Sequence, residues 1–456
     1  MPKLYIHSLG CKTNHYEIQA LVQQLSEHNF ELVEKMQDAD VGILNTCTVT
    51  AEAGRKSRQF LRRMKKQNPR ALIVAMGCYS QLYDITKDCD IAVGTSRRNS
   101  IVDLILNKLP ILNREQIEPT SFHRNNNEME TIPVQRQSEQ MLLGKNSIET
   151  EYEELGIISQ QSDTRALLKI QDGCNEFCTY CAIPLARGRI RSRSRSNILK
   201  EAERLVESGH KEIVLTGIHI CSFERELGRS SNALAELCLE LNSVAGLSRI
   251  RLGSLEPLSI TQSFLDILRQ ADKVCPHFHL SLQSGSDSVL KRMHRKYNSE
   301  QYSARVQLLR EIYPDPAITT DIMVGFPGET DTEFEQSLAF VKKINFSRIH
   351  VFPYSLRPDT LAAKMEQVPQ DIVKHRVQSM LEAGDILAAE YAEKFMNKTV
   401  EVLLEDETEI EAKVFIRGYT QHYVRTLIPK SQGKTGEIKN VLILDTQNDE
   451  LIGRIV

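Results

Sequence analysis

The sequence predicts an α/β protein in three parts: an N-terminal parallel α/β unit, a partial (β/α)6 barrel, and a small antiparallel β-barrel at the C-terminal end. Three observations predict this. Near the start, apolar strand-like runs alternate with helical stretches, the pattern of a parallel sheet. The same alternation continues with near-regular spacing through the middle of the chain. From Thr399 onward only short strand-like runs remain (VEVLLE, EAKVFI, HYVRTLI, VLILD, LIGRIV), separated by polar turns and glycine.

In the first part, LYIHSLG, VGILNT and LIVAMG read as buried strands, and Ile18, Leu21, Val22 and Leu25 recur at helical spacing. In the second, the strand candidates are ALLKIQ, EIVLTG, RIRLGS, HFHLSL, ITTDIMVG and SRIHVFPY. Ile198, Ala202, Leu205 and Val206 form one helix face between them, and Gly209 is placed to end that helix. Thr330 and Glu333 have the spacing of a capping box, opening a helix with Phe334, Leu338 and Val341. The expected boundaries are 1–112 for the first unit, 113–163 for a polar linker, 164–392 for the barrel and 393–456 for the tail. The linker carries the irregular run HRNNNEME and an acidic run from Glu149 to Glu154.

At 456 residues the chain has room for about three domains with real cores. A net charge of −3 gives no global attraction to nucleic acid. Ten cysteines without a signal-peptide pattern point to a reducing, cytoplasmic setting and to metal chemistry in place of disulfides. No apolar run has the length of a membrane span. Cys89, Cys221, Cys238 and Cys275 share no arrangement and read as packing residues.

The remaining six cysteines fall into two sets. Cys174, Cys178 and Cys181 lie in the loop QDGCNEFCTYC after the first barrel strand, where barrel chemistry sits. Three thiolates at this spacing suit a 4Fe–4S cubane with one iron left open, because full ligation takes four. An open iron accepts a ligand with its own amine and carboxylate, such as the methionine end of S-adenosylmethionine (SAM). Zinc is the rival, but structural zinc sites favour close Cys pairs with a fourth Cys or His nearby, and no His lies between Lys169 and Gly209. Cys11, Cys47 and Cys78 each follow one of the three N-terminal strands. Ligands of parallel sheets gather outside the carboxyl ends of the strands. The three thiols should therefore converge on one sheet edge and form a second three-Cys metal site; the alternative is three small core residues.

The strings SLGCKTNHYE, NTCTVTAEAGRKSRQ, MGCYSQ, KIQDGCNEFCTYCAIPLARGRIRSR, RLGSLEP, LSLQSGSDSVLKRMHRKY, TTDIMVGFPGET and HVFPYS resemble the radical SAM methylthiotransferase family over nearly the whole chain. The resemblance implies an N-terminal cluster domain, a radical SAM core and a C-terminal TRAM domain. LGCKTN with Tyr16-Glu17, NTCTVT, DGCNEFCTYC and LARGRIRSR resemble the branch that methylthiolates N6-threonylcarbamoyladenosine beside the anticodon in tRNA. The tail resembles the TRAM pattern of the tRNA-acting branches, but has Gln421-His422 where Asn is common before the tyrosine. Alternatives are methylthiolation of isopentenyladenosine or of a ribosomal-protein aspartate, and outside catalysis an iron–sulfur electron carrier or a zinc RNA-binding protein.

The implied reaction turns an adenine C–H bond into C–S–CH3. That hydrogen is too weakly acidic for a side-chain base, so the hard step falls to a cofactor. The resemblance implies two 4Fe–4S clusters, two molecules of SAM, a tRNA anticodon loop as substrate and a flavodoxin or ferredoxin as reductant, with the enzyme acting as a monomer. Cys174, Cys178 and Cys181 would hold the cluster that cleaves SAM, and Cys11, Cys47 and Cys78 the one that supplies sulfur. Tyr180, Thr216, Gly217, Ser254, Glu256, Gln283 and Ser284 would contact SAM, and Asp321 is a candidate of the fifth strand. Gly325 and Gly328 read as turn formers. Two basic features are candidate RNA contacts. On an extended backbone Arg187, Arg189, Arg191, Arg193 and Arg195 would share one face. On a helix after Cys47, the stretch Arg55, Lys56, Arg58, Arg62, Arg63, Lys65 and Lys66 has only Glu52 as a nearby opposing charge, although solvated helix faces commonly carry such runs.

Overall fold

A computed structural model describes residues 1–115, 151–156, 158, 163–410 and 413–456. Most of the expected linker, HRNNNEME included, lies outside the described residues. The chain divides into two compact units: residues 1–158 with 172–176 and 181–193, and residues 159–171 with 177–180 and 194–456.

The first unit is built on a parallel five-stranded sheet in the order β2-β1-β3-β4-β5. Its strands are β1 (Lys3–Ser8), β2 (Glu31–Leu32), β3 (Val41–Thr46), β4 (Leu72–Gly77) and β5 (Ile91–Ala92). Every residue of β3 and β4 is buried, which is why VGIL and LIVAM read as apolar runs; the polar Asn45 and Thr46 end β3. Alternate side chains serve opposite faces. Val41, Ile43, Leu72, Val74 and Met76 pack with Ile18, Leu21 and Leu25 of α1 (Lys12–Glu27) and with Ile101, Val102 and Ile105 of the helix at Ile101–Glu115. Leu44, Ile73 and Ala75 pack instead with Leu61 and Met64 of α2 (Ala51–Gln67), whose first turn is capped by Thr50. Burying one leucine such as Leu61 contributes about 1.5–3 kcal/mol. α3 (Cys78–Leu82) follows β4 directly, and the helix at Ile101–Glu115 is α4.

From Arg165 the chain runs through β6 (Arg165–Lys169), a short β7 (Gln171–Asp172), the five-residue α5 (Ile183–Arg187), a short β8 (Arg191–Ser192), α6 (Arg195–Glu207) and β9 (Glu212–Thr216). In the second unit β6 and β9 join β10 (Arg249–Leu252) in one parallel sheet. β11 (His277–His279), β12 (Ala317–Val324) and β13 (Arg348–Pro353) form another. Parallel bridges at Ile250–Val274 and Leu255–Leu280 carry the arrangement from one sheet to the next. Six parallel strands in sequence order thus make the expected partial barrel. Gly209 ends α6 at φ +101°, and Gly325 and Gly328 turn the chain after β12.

The helices between these strands are α7 (Ala233–Asn242), α8 (Gln262–Leu268), α9 (Asp287–Arg292), α10 (Ser299–Ile312) and α11 (Asp331–Ile344). Thr330 and Glu333 form the capping box that opens α11. Glu333 also binds both terminal nitrogens of Arg292, at 2.8 and 2.7 Å. That guanidinium pairing, helped by Ser288 and the Thr330 N–H against partial burial, holds the carboxyl at about 2, below its ordinary 4.5. A depressed carboxyl contributes stability above its unfolded pKa and loses it as pH falls through the folded one. Glu333→Gln should therefore flatten the loss of thermal stability between pH 4.5 and about 2, read from unfolding scans across that range.

The 24-residue α12 (Gln370–Glu393) leads to a closed barrel in the order β14-β15-β16-β18-β17. Its strands are β14 (Thr399–Ile410), β15 (Lys413–Thr420), β16 (Arg425–Pro429), β17 (Ile438–Gln447) and β18 (Glu450–Ile455). Four pairings are antiparallel and β16–β18 is parallel. Strands that alternate in direction cannot close a ring of odd number, so a five-stranded barrel needs at least one parallel seam. The expected small antiparallel barrel is present, closed by that one parallel seam. Val402, Leu404, Ile416, Ile428, Val441, Ile443 and Leu451 fill the barrel, and Tyr391, Ala392 and Phe395 pack against them.

The unusual Gln421-His422 pair has an internal explanation. Gln421 donates to Glu401 Oε1 and its carbonyl accepts from Arg251 Nη1. His422 lies against the Phe395 ring at 5.3 Å. Burial, reinforced by the nearby Arg251 charge, pushes the His422 pKa down to about 4. These two residues serve packing between the small barrel and strand β10.

Candidate active site

In the first unit β1, β3 and β4 are adjacent and parallel, with Ser8 opposite Asn45 and Thr46 opposite Gly77. Cys47 and Cys78 come immediately after β3 and β4, and Cys11 caps the start of α1 three residues after β1. The sheet therefore delivers all three thiols to one edge, as expected from strand direction. Cys47 and Cys78 are buried and Cys11 is exposed.

Two glycines permit this approach. Gly10 has φ +111°, and a Cβ there would lie 2.8 Å from Cys47 Sγ. Gly77 has φ +104°, and a Cβ would meet Asn45 Oδ1 at 2.3 Å and Thr46 O at 2.6 Å. Both positions combine a backbone conformation open to glycine with no space for a side chain. Asn14 then locks the loops: its Nδ2 donates to Leu9 O and Thr46 O, each at 3.0 Å, and its carbonyl accepts from Asn45 Nδ2 at 2.9 Å. Cys11 Sγ lies 3.6 Å from Asn14 Oδ1.

Beside Cys78 lies a buried charge network that sequence reasoning did not find. Arg187 Nε donates to Cys78 Sγ at 3.1 Å. Its terminal nitrogens bind Glu17 Oε1 at 2.7 Å, Asn14 Oδ1 at 2.8 Å and Asp172 Oδ1 at 3.0 Å. Arg98 shares Glu17 and Asp172 and adds Glu153 Oε2 at 2.8 Å. Burial pushes the Cys78 thiol up to about 12, opposed by the Arg187 charge. A thiolate at this position needs a positive partner, which Arg187 provides in part and a metal centre would complete.

The donor set fits a cubane. Three soft sulfurs converge, Val49 N–H donates to Cys47 Sγ at 3.4 Å, and a guanidinium offsets negative charge. Among the described residues no group of three or more His, Cys, Asp or Glu closes around a single metal ion. A cubane takes one thiolate on each of several irons, so its ligands stand apart.

Cys174 and Cys181 repeat the local pattern of Cys47. Glu176 N–H donates to Cys174 Sγ at 3.3 Å and Ile183 N–H to Cys181 Sγ at 3.4 Å. Both belong to the first unit, whereas Cys178 and Tyr180 belong to the second. There Arg295 Nη1 donates to Cys178 Sγ at 3.5 Å, Nη2 to Glu256 Oε2 at 2.7 Å and Nε to the Tyr297 hydroxyl at 3.0 Å. Burial pushes Glu256 up, but His219 and Arg295 outweigh it and hold the carboxyl below its ordinary range. Tyr180 packs against Val289, Met293, Phe326 and Ala362.

Thr216 is the buried last residue of β9, and Gly217 passes so close to Gln171 that a Cβ would lie 2.9 Å from its carbonyl oxygen. Ser254 is exposed beyond β10. Gln283 takes a left-handed φ of 68° and bridges to Ile322. Ser284 is fully buried, with its hydroxyl accepting from Ser286 N–H. Asp321 pairs with His279 at 3.3 Å. Arg295, Glu17, Asp172 and Arg187 stand in strings already singled out, though not as partners of one another; His279 and Arg98 carried no functional signal.

The arginine run is not one stripe. Pro184 in the first turn of α5 starts a helix in place of an extended strand, and Arg187, Arg191 and Arg193 are buried. Arg193 binds Glu154 and the Tyr16 hydroxyl. Arg195 binds Glu224, Glu236 and Glu240. The basic helix is real, but Glu52 is not its only counter-charge: Arg62 pairs with Asp88 at 2.8 Å and Lys65 with Asp90 at 3.1 Å.

Residues 168–341 match the radical SAM superfamily, and residues 3–92 match the uncharacterized protein family UPF0004. The threonylcarbamoyladenosine tRNA methylthiotransferase MtaB of Bacillus subtilis is 40% identical over 453 residues, covering 97% of this chain and 94% of its own. The same enzyme from Aquifex aeolicus is 32% identical, covering 93% of this chain and all of its own. A tRNA-2-methylthio-N(6)-dimethylallyladenosine synthase of Acetivibrio thermocellus is 33% identical, covering 100% and 91%. Among solved structures, the radical SAM methyltransferase TsrM of Kitasatospora setae, with tryptophan and a SAM analogue, shares the fold at TM-score 0.56 and 12% identity, covering 90% of this chain and 79% of that one.

The parallel partial barrel with its three-Cys loop is that of a radical SAM enzyme, a class that uses SAM and a 4Fe–4S cluster. The chain belongs to the radical SAM tRNA methylthiotransferase family.

Proposed function

We propose that this enzyme methylthiolates N6-threonylcarbamoyladenosine beside the anticodon of tRNA, using two molecules of SAM and two 4Fe–4S clusters. The observation that supports the two-cluster reading best is the convergence of Cys11, Cys47 and Cys78 at one edge of a parallel sheet. The choice of nucleoside follows the greater identity to the Bacillus subtilis relative, 40% against 33% for the dimethylallyladenosine enzyme.

When bound, the group held by Cys174, Cys178 and Cys181 would supply the electron that cleaves SAM, and the group held by Cys11, Cys47 and Cys78 the sulfur. Glu256, kept anionic by His219 and Arg295, suits the SAM ammonium. Tyr180, Thr216, Gly217, Ser254 and Gln283 complete the proposed SAM contacts, and Ser284 shapes the turn behind Gln283. A cytoplasmic monomer fed by a flavodoxin or ferredoxin belongs to the same reading, as does a division into 1–112, a linker, 164–392 and 393–456. Among the described residues no helix is long and apolar enough to cross a membrane.

Nucleoside analysis of tRNA from a strain lacking the gene tests the substrate. Loss of the 2-methylthio derivative of threonylcarbamoyladenosine alone is the expected result; loss of the isopentenyladenosine derivative instead would reject it. For tRNA binding, the exposed Arg63 and Lys66 of α2 are the better candidates now that Arg62 and Lys65 have acidic partners. Arg63→Glu with Lys66→Glu should weaken tRNA binding and lower the slope of log K against log salt by about 1–2. Unchanged salt titrations would remove α2 from the interface.

A further inference from the structure

We propose that Arg187 is a positioning residue of the second metal centre, setting its reduction potential through the hydrogen bond to Cys78 and tying it to the polypeptide that carries Cys174. The inference rests on the two-cluster reading and adds a residue to it.

The geometry is specific. Arg187 is completely buried and is aimed by three different partners. Glu17 comes from α1, Asp172 lies two residues before Cys174, and Asn14 clamps the loops that carry Cys11 and Cys47. With both terminal nitrogens committed to those oxygens, Nε is left directed at Cys78 Sγ, 3.1 Å away. A hydrogen bond and a positive charge at a cluster sulfur stabilise the more reduced, more negative state, and so raise its potential. Arginine suits this task because its planar fork serves carboxylates on one edge while Nε serves a third group. Lysine has one compact donor head and cannot do both.

Because removing this buried cation leaves Arg98 to offset both Glu17 and Asp172, two variants are needed. R187K keeps the charge and loses the Nε donor. R187Q/E17Q removes one charge of each sign. Both are made in a C174A/C178A/C181A background, which retains only the second thiol set, and are reconstituted anaerobically with iron and sulfide. Iron per chain, the midpoint potential and the electron paramagnetic resonance spectrum of the reduced protein are read. The expected result is iron equal to that of the background in at least one variant, with a more negative potential and an altered spectrum. Retained iron with unchanged potential and spectrum overturns the proposal and leaves the two-cluster reading standing. Loss of iron in both variants also overturns it, since Arg187 would then hold the site together without tuning it. A background protein that takes up no iron with Arg187 intact refutes the two-cluster reading itself.

Discussion

Cys47→Ala will abolish methylthiolation of tRNA while reductive cleavage of SAM continues. Cys47 immediately follows β3, the middle of the three adjacent strands β1, β3 and β4, so its loss removes one of three thiols from the shared edge. Two remaining sulfurs hold a cubane poorly, and anaerobically prepared protein should fall from about eight irons per chain to about four. The substitution deletes a single sulfur and adds no bulk, so the fold should lose only about 1 kcal/mol. Mass spectrometry of digested tRNA reads the first activity, and 5′-deoxyadenosine release under dithionite reads the second. Loss of both activities in a well-folded variant would defeat the division of labour between the two thiol sets.

Arg98→Ala should strongly destabilise the first unit. The side chain is only 3% exposed and meets Glu17, Glu153 and Asp172. Without it, Arg187 alone faces Glu17 and Asp172, while Glu153 loses its guanidinium. Breaking a buried ion pair from one side costs about 3–5 kcal/mol, because the abandoned charges stay desolvated. Arg58→Ala provides the control: this exposed residue holds its guanidinium 6.0 Å from the Tyr79 ring centroid and should change stability by less than about 0.5 kcal/mol. Denaturant titrations of the two variants should differ accordingly, and equal midpoints would show that the network carries no net stability.

What could be read in advance was what depends on neighbours along the chain. VGILNT and LIVAMG announce strands buried on both faces, and a cysteine after each places a thiol at the carboxyl edge. Thr330 and Glu333 announce a helix start because capping needs only four consecutive residues. The Arg98–Glu17 pair spans 81 positions and Arg187–Glu17 spans 170, so no local pattern reveals either. Arginines spaced every second residue suggest a stripe, but Pro184 starts a helix, the buried Glu17 draws Arg187 inward and the partly exposed Glu154 holds Arg193. The acidic run read as linker supplies Glu153 to Arg98 and Glu154 to Arg193. The counter-charges of α2, Asp88 and Asp90, lie 26 and 25 positions from Arg62 and Lys65.

The parity of the C-terminal barrel has a mechanical consequence. Its parallel join rests on two residue pairs, Thr426–Leu451 and Leu427–Ile452, whereas each of the other pairings aligns at least five. Breathing should begin there, with Leu427 and Ile452 amides the earliest in the barrel to take up deuterium. β18 is one side of that join, so a load applied through Val456 would pull on the weakest stave of the cask.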